Sequence, residues 1–194
     1  MRSLLILFLS LLFWGCSSTY VSDRQTVTIA QGVDFQLITS HPFTNDFQLL
    51  QSAQVNYNNE LHDLLFQTEV SAQQLVMVGL SATGTRLFSI QLTAGQITAS
   101  GLPTDDGLKP EYLLADMQLS LWPASSINQA LSGAELVQPD ATQRLIMRDQ
   151  KEVIRIEYTD PEFYQGQIHF QHLERGYSLL IDPISIEETQ HDPE

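Results

Sequence analysis

Apolar and polar side chains alternate with a period of two along much of the first half of the chain. The clearest run places one apolar set on a single face: Phe47, Leu49, Ala53, Val55 and Tyr57. This run ends at Asn58-Asn59, a pair typical of tight hairpin turns. Comparable runs bounded by turn residues cover 35–38, 61–70, 74–80, 86–92 and 97–100. The alternation predicts roughly seven antiparallel strands before residue 102.

The period changes from two to a helical repeat after a predicted loop at 102–107. Residues 109–122 are predicted to form a helix, with Pro110 at its first position. Two apolar stripes run along this helix, Leu114, Met117 and Leu121 on one side and Tyr112, Ala115, Leu119 and Trp122 on the other. A helix that is apolar on both sides needs cover on both sides. Pro123 interrupts it, and residues 124–131 are predicted to form a short second helix capped by Gly133.

Strand signals return after the helices. One predicted hairpin joins 142–147 to 152–158 through a turn at Asp149-Gln150. A second joins 167–173 to 177–181 through Glu174-Arg175-Gly176, and Asp182-Pro183 is predicted to end the ordered pattern. The second half of the chain therefore adds roughly four or five strands.

These elements predict a mainly β fold with a helical insert. A single antiparallel sheet with so many strands is expected to curl, because twist accumulates from strand to strand. We predict a half-barrel whose concave side is covered by a helix-Pro-helix lid. The predicted single domain spans 26–186, and residues 187–194 form an acidic tail.

The chain begins with the layout of a secretory signal. Arg2 supplies a positive charge, residues 4–14 are an unbroken apolar run, and Gly15 precedes Cys16. The run is shorter than the ~20 residues that a membrane-spanning helix needs. Bacterial lipoprotein signals end in a small residue followed by the cysteine that receives the lipid. We therefore predict a signal peptide at 1–15 and an acylated tether at 16–25. The alternative is a plain signal peptide followed by an incidental cysteine.

Composition narrows the classes of partner. The chain has 194 residues and a formal net charge of −14. This excess of carboxylates argues against nucleic-acid binding, which relies on a basic surface. Cys16 is the only cysteine, so no intramolecular disulfide forms. The predicted partner is a membrane, reached through acyl chains on Cys16.

No catalytic motif emerges from the sequence. It contains no Gly-x-Ser-x-Gly elbow, no Gly-rich phosphate loop and no His-Glu-x-x-His motif. His169 and His172 are three apart on a predicted strand and so fall on opposite faces. His172 and Glu174 share one face, which we interpret as an exposed polar strand end. Asp105-Asp106 is interpreted as a loop turn rather than a calcium site. We predict no catalytic residue, no metal and no cofactor.

Several strands carry apolar residues on both faces, which suggests an apolar hollow between sheet and helices. Leu49 and Leu50, and Leu179 and Leu180, are examples. The residues predicted to contact a ligand in this hollow are Leu49, Arg86, Phe88, Ile90, Leu113, Leu114, Met117, Leu121 and Trp122.

Three of these residues have alternative interpretations. Arg86 shares a predicted strand face with Phe88, and a charge in an apolar hollow is costly unless paired. Arg86 is therefore expected to meet a ligand head group or Asp116, or else to face solvent. Trp122 lines the mouth of the pocket or packs in the core. Met117 offers an adaptable lipid contact or is a core residue.

Four stretches carry a resemblance to known proteins: Gly84-Thr85-Arg86-Leu87-Phe88, Tyr112 to Leu119, Leu121-Trp122-Pro123, and Gly176-Tyr177-Ser178-Leu179. With the lipoprotein start, the chain resembles a family of outer-membrane lipoproteins often encoded in aryl polyene biosynthesis clusters. Its order of elements is similar in architecture to LolA and LolB, the periplasmic lipoprotein carrier and its outer-membrane receptor. The resemblance implies the periplasmic face of the outer membrane, a lipid or acyl ligand and a periplasmic carrier as partner.

Three hypotheses for function follow. The first is an outer-membrane lipoprotein that binds or transfers a lipid, a lipoprotein acyl chain or a polyene lipid through the hollow. The second is a non-catalytic assembly or scaffold lipoprotein whose core is filled by side chains. The third, ranked last, is a hydrolase of envelope lipids, which needs a pocket where His, Asp and Ser converge.

Overall fold

The structure is a computed structural model that describes residues 19–40, 42–102 and 109–189. These residues form two helices, α1 (Pro110–Leu121) and α2 (Ala124–Ala130). The strands, in chain order, are β1 (Thr19–Ser22), β2 (Thr26–Ala30), β3 (Val33–Gln36), β4 (Asp46–Tyr57), β5 (Glu60–Val70), β6 (Gln74–Ser81), β7 (Arg86–Thr93), β8 (Gln96–Ser100), β9 (Leu131–Ser132), β10 (Glu135–Asp140), β11 (Gln143–Arg148), β12 (Lys151–Tyr158), β13 (Ile168–His172) and β14 (Tyr177–Thr189).

Eleven of these strands form one antiparallel sheet in the order β1-β8-β7-β6-β5-β4-β14-β13-β12-β11-β10. The last strand returns to the first half of the chain, where β14 pairs with β4. The sheet is curved and does not close into a barrel, and β1 and β10 are its two edges. The predicted half-barrel with a helical insert is confirmed.

Tight turns set the register of the hairpins, as the sequence predicts. Asn58 and Asn59 both have positive φ, at 52° and 63°, and so do Asp149 and Gln150, at 48° and 65°. Two consecutive positive φ angles are the mark of the hairpin turn whose twist matches that of its strands. Asn and Asp tolerate this conformation better than other residues with side chains.

A second, smaller sheet supplies the cover that the far side of α1 needs. Its order is β2-β3-β9, and its buried side chains include Val27, Ile29 and Phe35. α1 contacts both β2 and β8, so it lies between the small sheet and the large one. Burial on both sides explains why Leu114, Ala115 and Leu119 have no exposed surface.

The second helix is one residue shorter than predicted. α2 ends at Ala130, because Leu131 is extended and pairs with Phe35 in the small sheet. Gly133 does not cap the helix; it lies in the turn between β9 and β10 with a φ of 79°. A Cβ at this position would lie 2.0 Å from the carbonyl oxygen of Gly32, which explains the glycine.

The ends of the ordered region also differ from the prediction. Thr19–Ser22, placed in the tether, form β1 and pair with β8. Asp182-Pro183 does not end the pattern, because a bulge between Pro183 and Ser185 absorbs the proline and β14 continues to Thr189. Glu187 and Glu188, placed in the acidic tail, therefore pair with β4. Cys16, Asp105 and Asp106 lie outside the described residues.

Candidate functional site

An apolar pocket lies between the concave face of the large sheet and α1. The helix contributes residues spaced three or four apart, which places them on one side: Leu113, Asp116, Met117, Ser120 and Leu121. The sheet contributes alternate residues from five strands: Gln51, Phe66, Thr68, Met77, Ile168, Leu179 and Ile181. The walls are thus mostly apolar, with one methionine from the sheet and one from the helix.

The pocket is narrow. Counted with the open solvent at its mouth, its space is about 500 Å³, but the centre of a water-sized sphere reaches only about 50 Å³ of it. By the same measure one water molecule needs about 10–15 Å³. The pocket therefore has room for roughly four groups of the size of a methylene.

Two polar side chains of the sheet point into the pocket without a partner. Gln51 is 6% exposed and Thr68 is 1% exposed. Among the described residues, no side-chain hydrogen bond of either is found, and both line the pocket. Buried polar groups in proteins are nearly always hydrogen-bonded. The amide of Gln51 and the hydroxyl of Thr68 are therefore available to a guest.

Asp116 is the ionisable group of the pocket. Its carboxylate accepts a hydrogen bond from the Tyr177 hydroxyl at 2.5 Å. Burial raises the pKa of Asp116 to about 7, against the opposing effects of the Tyr177 hydrogen bond and the Arg175 charge. Arg175 itself stacks on the Tyr112 ring, 3.7 Å from its centroid. The carboxyl group is thus partly protonated near neutral pH.

A buried arginine fixes the C-terminal end of α1. Arg144, on β11, is 1% exposed and donates from Nη1 to the carbonyl oxygens of Leu119, Ser120 and Trp122 at 3.0, 3.2 and 2.8 Å. Its guanidinium lies 3.8 Å from the centroid of the Phe163 ring. Burial lowers its pKa from the ordinary value. A cation at the C-terminus also complements the helix dipole, so this end of α1 is held firmly.

Polar residues at the β13–β14 turn tie the small sheet to the large one. His172 is buried, and its Nε2 lies 2.9 Å from the carbonyl oxygen of Ile29 on β2. The Arg175 backbone N–H donates to its Nδ1, so Nε2 carries the hydrogen and donates. Burial lowers the pKa of His172 to about 4, which keeps it neutral. The prediction that His172 is an exposed strand end is wrong, because the small sheet covers it.

The structure places three of the nine predicted ligand contacts on the pocket: Leu113, Met117 and Leu121. Five others are buried away from its lining, namely Leu49, Phe88, Ile90, Leu114 and Trp122. Phe88 illustrates the reason. Its ring lies across Gly79 of the neighbouring strand, where a Cβ would lie only 2.2 Å from the ring. Glycine thus lets this ring pack flat on the sheet.

Arg86 is exposed, and the prediction that it shares a face with Phe88 is wrong. Phe88 pairs with Gly79, but Arg86 pairs with Leu80. From one pair to the next, β7 therefore moves by two residues while β6 moves by one, which is a β-bulge. Such a bulge reverses the alternation of side chains between the two faces. Arg86 therefore faces solvent, and Asp116 binds Tyr177 instead.

Two polar residues of the pocket lining, Gln51 and Thr68, are not among the predicted ligand contacts. Gln51 alternates with Leu49 and Ala53 on the buried face of β4, so it occupies a core position among apolar residues. A polar residue at such a position is a signal for a site, and it was available in the sequence. Thr68 has the equivalent position on β5, between Phe66 and Val70. By contrast, no local pattern marks Arg144, whose partners lie more than twenty residues away.

The described part of the chain lacks two features that would have pointed to other functions. No group of three or more His, Cys, Asp or Glu side chains is placed to hold a metal ion there. None of the helices in residues 19–40, 42–102 and 109–189 has the length and apolar content that crossing a bilayer requires.

Comparison with known families gives one match. Residues 48–185, well over half of the chain, match the family model described as "Protein of unknown function (DUF3261)". The matched span runs from β4 to β14 and includes every residue that lines the pocket. No curated protein matches the chain.

Proposed function

We propose that this chain, which belongs to the DUF3261 family, is a lipoprotein of the outer membrane that binds an acyl chain in the pocket beneath α1. In this proposal Cys16 carries the anchor and the domain lies on the periplasmic face. The resemblance to aryl polyene-associated lipoproteins, and to LolA and LolB in architecture, supports the location and the class of ligand. No bond is made or broken; binding is reversible burial of hydrocarbon.

The observation that carries the proposal is an apolar cleft between two layers that are otherwise closely packed. Its walls are built from residues such as Phe66, Ile168 and Leu179, which suit a hydrocarbon. Met77 and Met117 face the cleft from opposite layers. Methionine is unbranched and flexible, so these two side chains adapt readily to a guest.

The size of the pocket sets how binding must work. Roughly four buried methylenes contribute about 3 kcal/mol, at ~0.8 kcal/mol each. Even a millimolar dissociation constant requires about 4 kcal/mol. Useful affinity therefore requires the pocket to widen, which we assign to the flexible side chains of Met77 and Met117. The helix itself is held at both ends, by Arg144 at the Trp122 carbonyl and by Arg175 on the Tyr112 ring.

The spacing of the anchor supports a position close to the membrane. Only two residues separate Cys16 from Thr19, where β1 begins. At ~3.4 Å per residue, a chain of this length spans at most roughly 10 Å from Thr19. Tyr20 and Val21, on this edge strand, are both exposed. A bilayer that holds the anchor is thus within reach of the sheet edge.

Photocrosslinking in membranes tests the pocket. Membranes containing the full-length chain are incubated with a long-chain methyl ester that carries a diazirine, then irradiated. We expect label on peptides from α1 and β5. Leu113→Trp fills the cleft from a partly exposed position and should reduce that label severalfold. Leu87→Trp, on the exposed face of β7, is the matched control and should not.

A second arm of this experiment reads the anchor itself. Cells fed an alkynyl fatty acid should incorporate it into the wild-type chain, and Cys16→Ser should abolish incorporation. Label in the pocket of Cys16→Ser then comes from the added probe alone. If the ester labels the pocket peptides of wild type and of Leu113→Trp equally, the acyl-binding proposal is wrong.

One observation favours the scaffold alternative. Outside the cleft the interior is filled, since Leu114, Ala115 and Leu119 have no exposed surface. A rigid, filled domain suits an assembly lipoprotein that presents its outer surface to a partner. Absence of pocket label together with stoichiometric recovery of one partner from crosslinked membranes would favour this alternative.

A further inference from the structure

The pocket contains hydrogen-bonding groups that a plain hydrocarbon leaves unsatisfied. Leu49 pairs with Thr68 across β4 and β5, and Gln51 pairs with Phe66. Gln51 and Thr68 are therefore diagonal neighbours on the concave face, roughly 7–8 Å apart between backbones. Side chains at that spacing reach a common point above the sheet. Both are more than nine-tenths buried, and both line the pocket.

Their neighbours do not supply the missing partner. Pro183 faces Gln51 from β14 and has no backbone N–H to donate. Ser120, above them on α1, already donates its hydroxyl hydrogen to the carbonyl oxygen of Asp116 at 2.8 Å. The hydroxyl of Tyr177 is taken up by the Asp116 carboxylate. Among the described residues, the Gln51 amide and the Thr68 hydroxyl thus remain pocket donors without a partner.

We infer that the group bound beneath α1 is an uncharged acyl carbonyl, an ester or an amide, that enters together with its hydrocarbon chain. Its oxygen accepts hydrogen bonds from the Gln51 amide and the Thr68 hydroxyl, and its chain lies against Phe66, Met77 and Leu179. This inference rests on the proposed function and specifies its ligand. A free carboxylate fits less well, because it would lie in the same pocket as the Asp116 carboxyl group.

The test compares four probes of one chain length that carry the diazirine at the same carbon from the methyl end. They are a methyl ester, an N-methyl amide, a free acid and an alkane. Each is added to membranes containing the full-length chain, and label on the α1 and β5 peptides is normalised to probe recovered in the membrane. We expect the ester and the amide to label about tenfold more than the alkane, the effect of one or two hydrogen bonds.

Substitutions identify the groups responsible. Gln51→Leu and Thr68→Val keep the size of each side chain and remove its donor. Each should reduce ester label about fivefold, the effect of one lost hydrogen bond, and so lower the ratio of ester label to alkane label. Gln48→Leu is the matched control, because Gln48 is exposed on the same strand. Gln48→Leu should change neither the ester label nor the alkane label.

The outcomes separate the inference from the proposed function. If the alkane labels the pocket as strongly as the ester, hydrocarbon binds there but the carbonyl inference is wrong. If the free acid exceeds the ester, the ligand is a fatty acid and the inference is again wrong. If no probe labels the α1 and β5 peptides, the proposed function fails as well.

Discussion

The two sides of α1 are both largely covered but differ in how their polar groups are satisfied. On the support side, toward the small sheet, Gln118 has no exposed surface. Its amide accepts from the Ile38 N–H at 2.8 Å and donates to the Ile38 carbonyl at 2.9 Å. On the pocket side, opposite Asp116 and Met117, the buried Gln51 has no such partner among the described residues.

This difference shows that burial alone does not separate structure from function in this protein. A glutamine that bonds both the N–H and the carbonyl of one residue fastens two layers together. A glutamine of similar burial that faces a cleft is a cost to folding, and such costs are typical of binding sites. The comparison predicts that substitutions on the two sides have opposite effects on stability.

The largest effect is expected at Asp116, on the pocket side. Its pKa is raised from 3.8 to about 7, so the folded state binds a proton that the unfolded state has released over this range. The contribution of Asp116 to stability should therefore fall as pH rises from about 4 to about 7, by about 4 kcal/mol in total. Asp116→Asn should remove this fall and be more stable than wild type at pH 8. Urea unfolding of both chains at several pH values measures this difference in stability.

His172 provides the internal contrast for this measurement. Its pKa is lowered to about 4, so its contribution to stability is lost as pH falls from about 6.5 toward 4. The two residues thus have opposite slopes across the same range, and only the difference between wild type and Asp116→Asn isolates the carboxyl group. Equal stability of these two chains at pH 8 would contradict a buried, strained carboxylate.

A smaller effect of about 2 kcal/mol is expected for the glutamine pair. Gln118→Leu leaves the N–H and carbonyl of Ile38 without partners in a half-buried position, which destabilises the fold. Gln51→Leu removes unpaired polar atoms and should change stability by less than ~0.5 kcal/mol, or increase it. The denaturant midpoints of both variants measure these two stability changes, with Gln48→Leu as the surface control. Equal losses for Gln51→Leu and Gln118→Leu would remove the distinction between the two sides.

Much of the fold was predictable because it depends on short-range patterns. The turn at Asn58-Asn59 and the strands around it follow from alternation and from residues that tolerate positive φ. The strand at β10 was missed because Leu136 is its one buried residue, so no alternation marks it. The sequence predicts too short a β14, because a proline such as Pro183 usually ends a strand. Only the bulge beside β4 allows this strand to continue.

The site was less predictable, because its residues meet through long-range pairing. Helical spacing placed Leu113, Met117 and Leu121 on the pocket, but the same pattern did not tell which side of α1 faced the small sheet. Arg86 was misplaced by a bulge that no residue in β7 signals. The structural roles of Arg144 and His172 were not predictable, because elements from distant parts of the chain bury both side chains against backbone carbonyls.

The smallest expected effect concerns two polar groups on aromatic side chains at the C-terminal end of α1, the Tyr158 hydroxyl and the Trp122 indole N–H. The Tyr158 hydroxyl donates to the Ser120 carbonyl at 2.8 Å, whereas Trp122 Nε1 is buried with no partner within the described residues. Tyr158→Phe should cost about 1 kcal/mol, the net value of one hydrogen bond. Trp122→Phe should change stability by less than ~0.5 kcal/mol, because lost packing is offset by removal of an unpaired N–H. Thermal unfolding of both variants measures the difference, and a larger loss for Trp122→Phe would mean that packing dominates at this end of the helix.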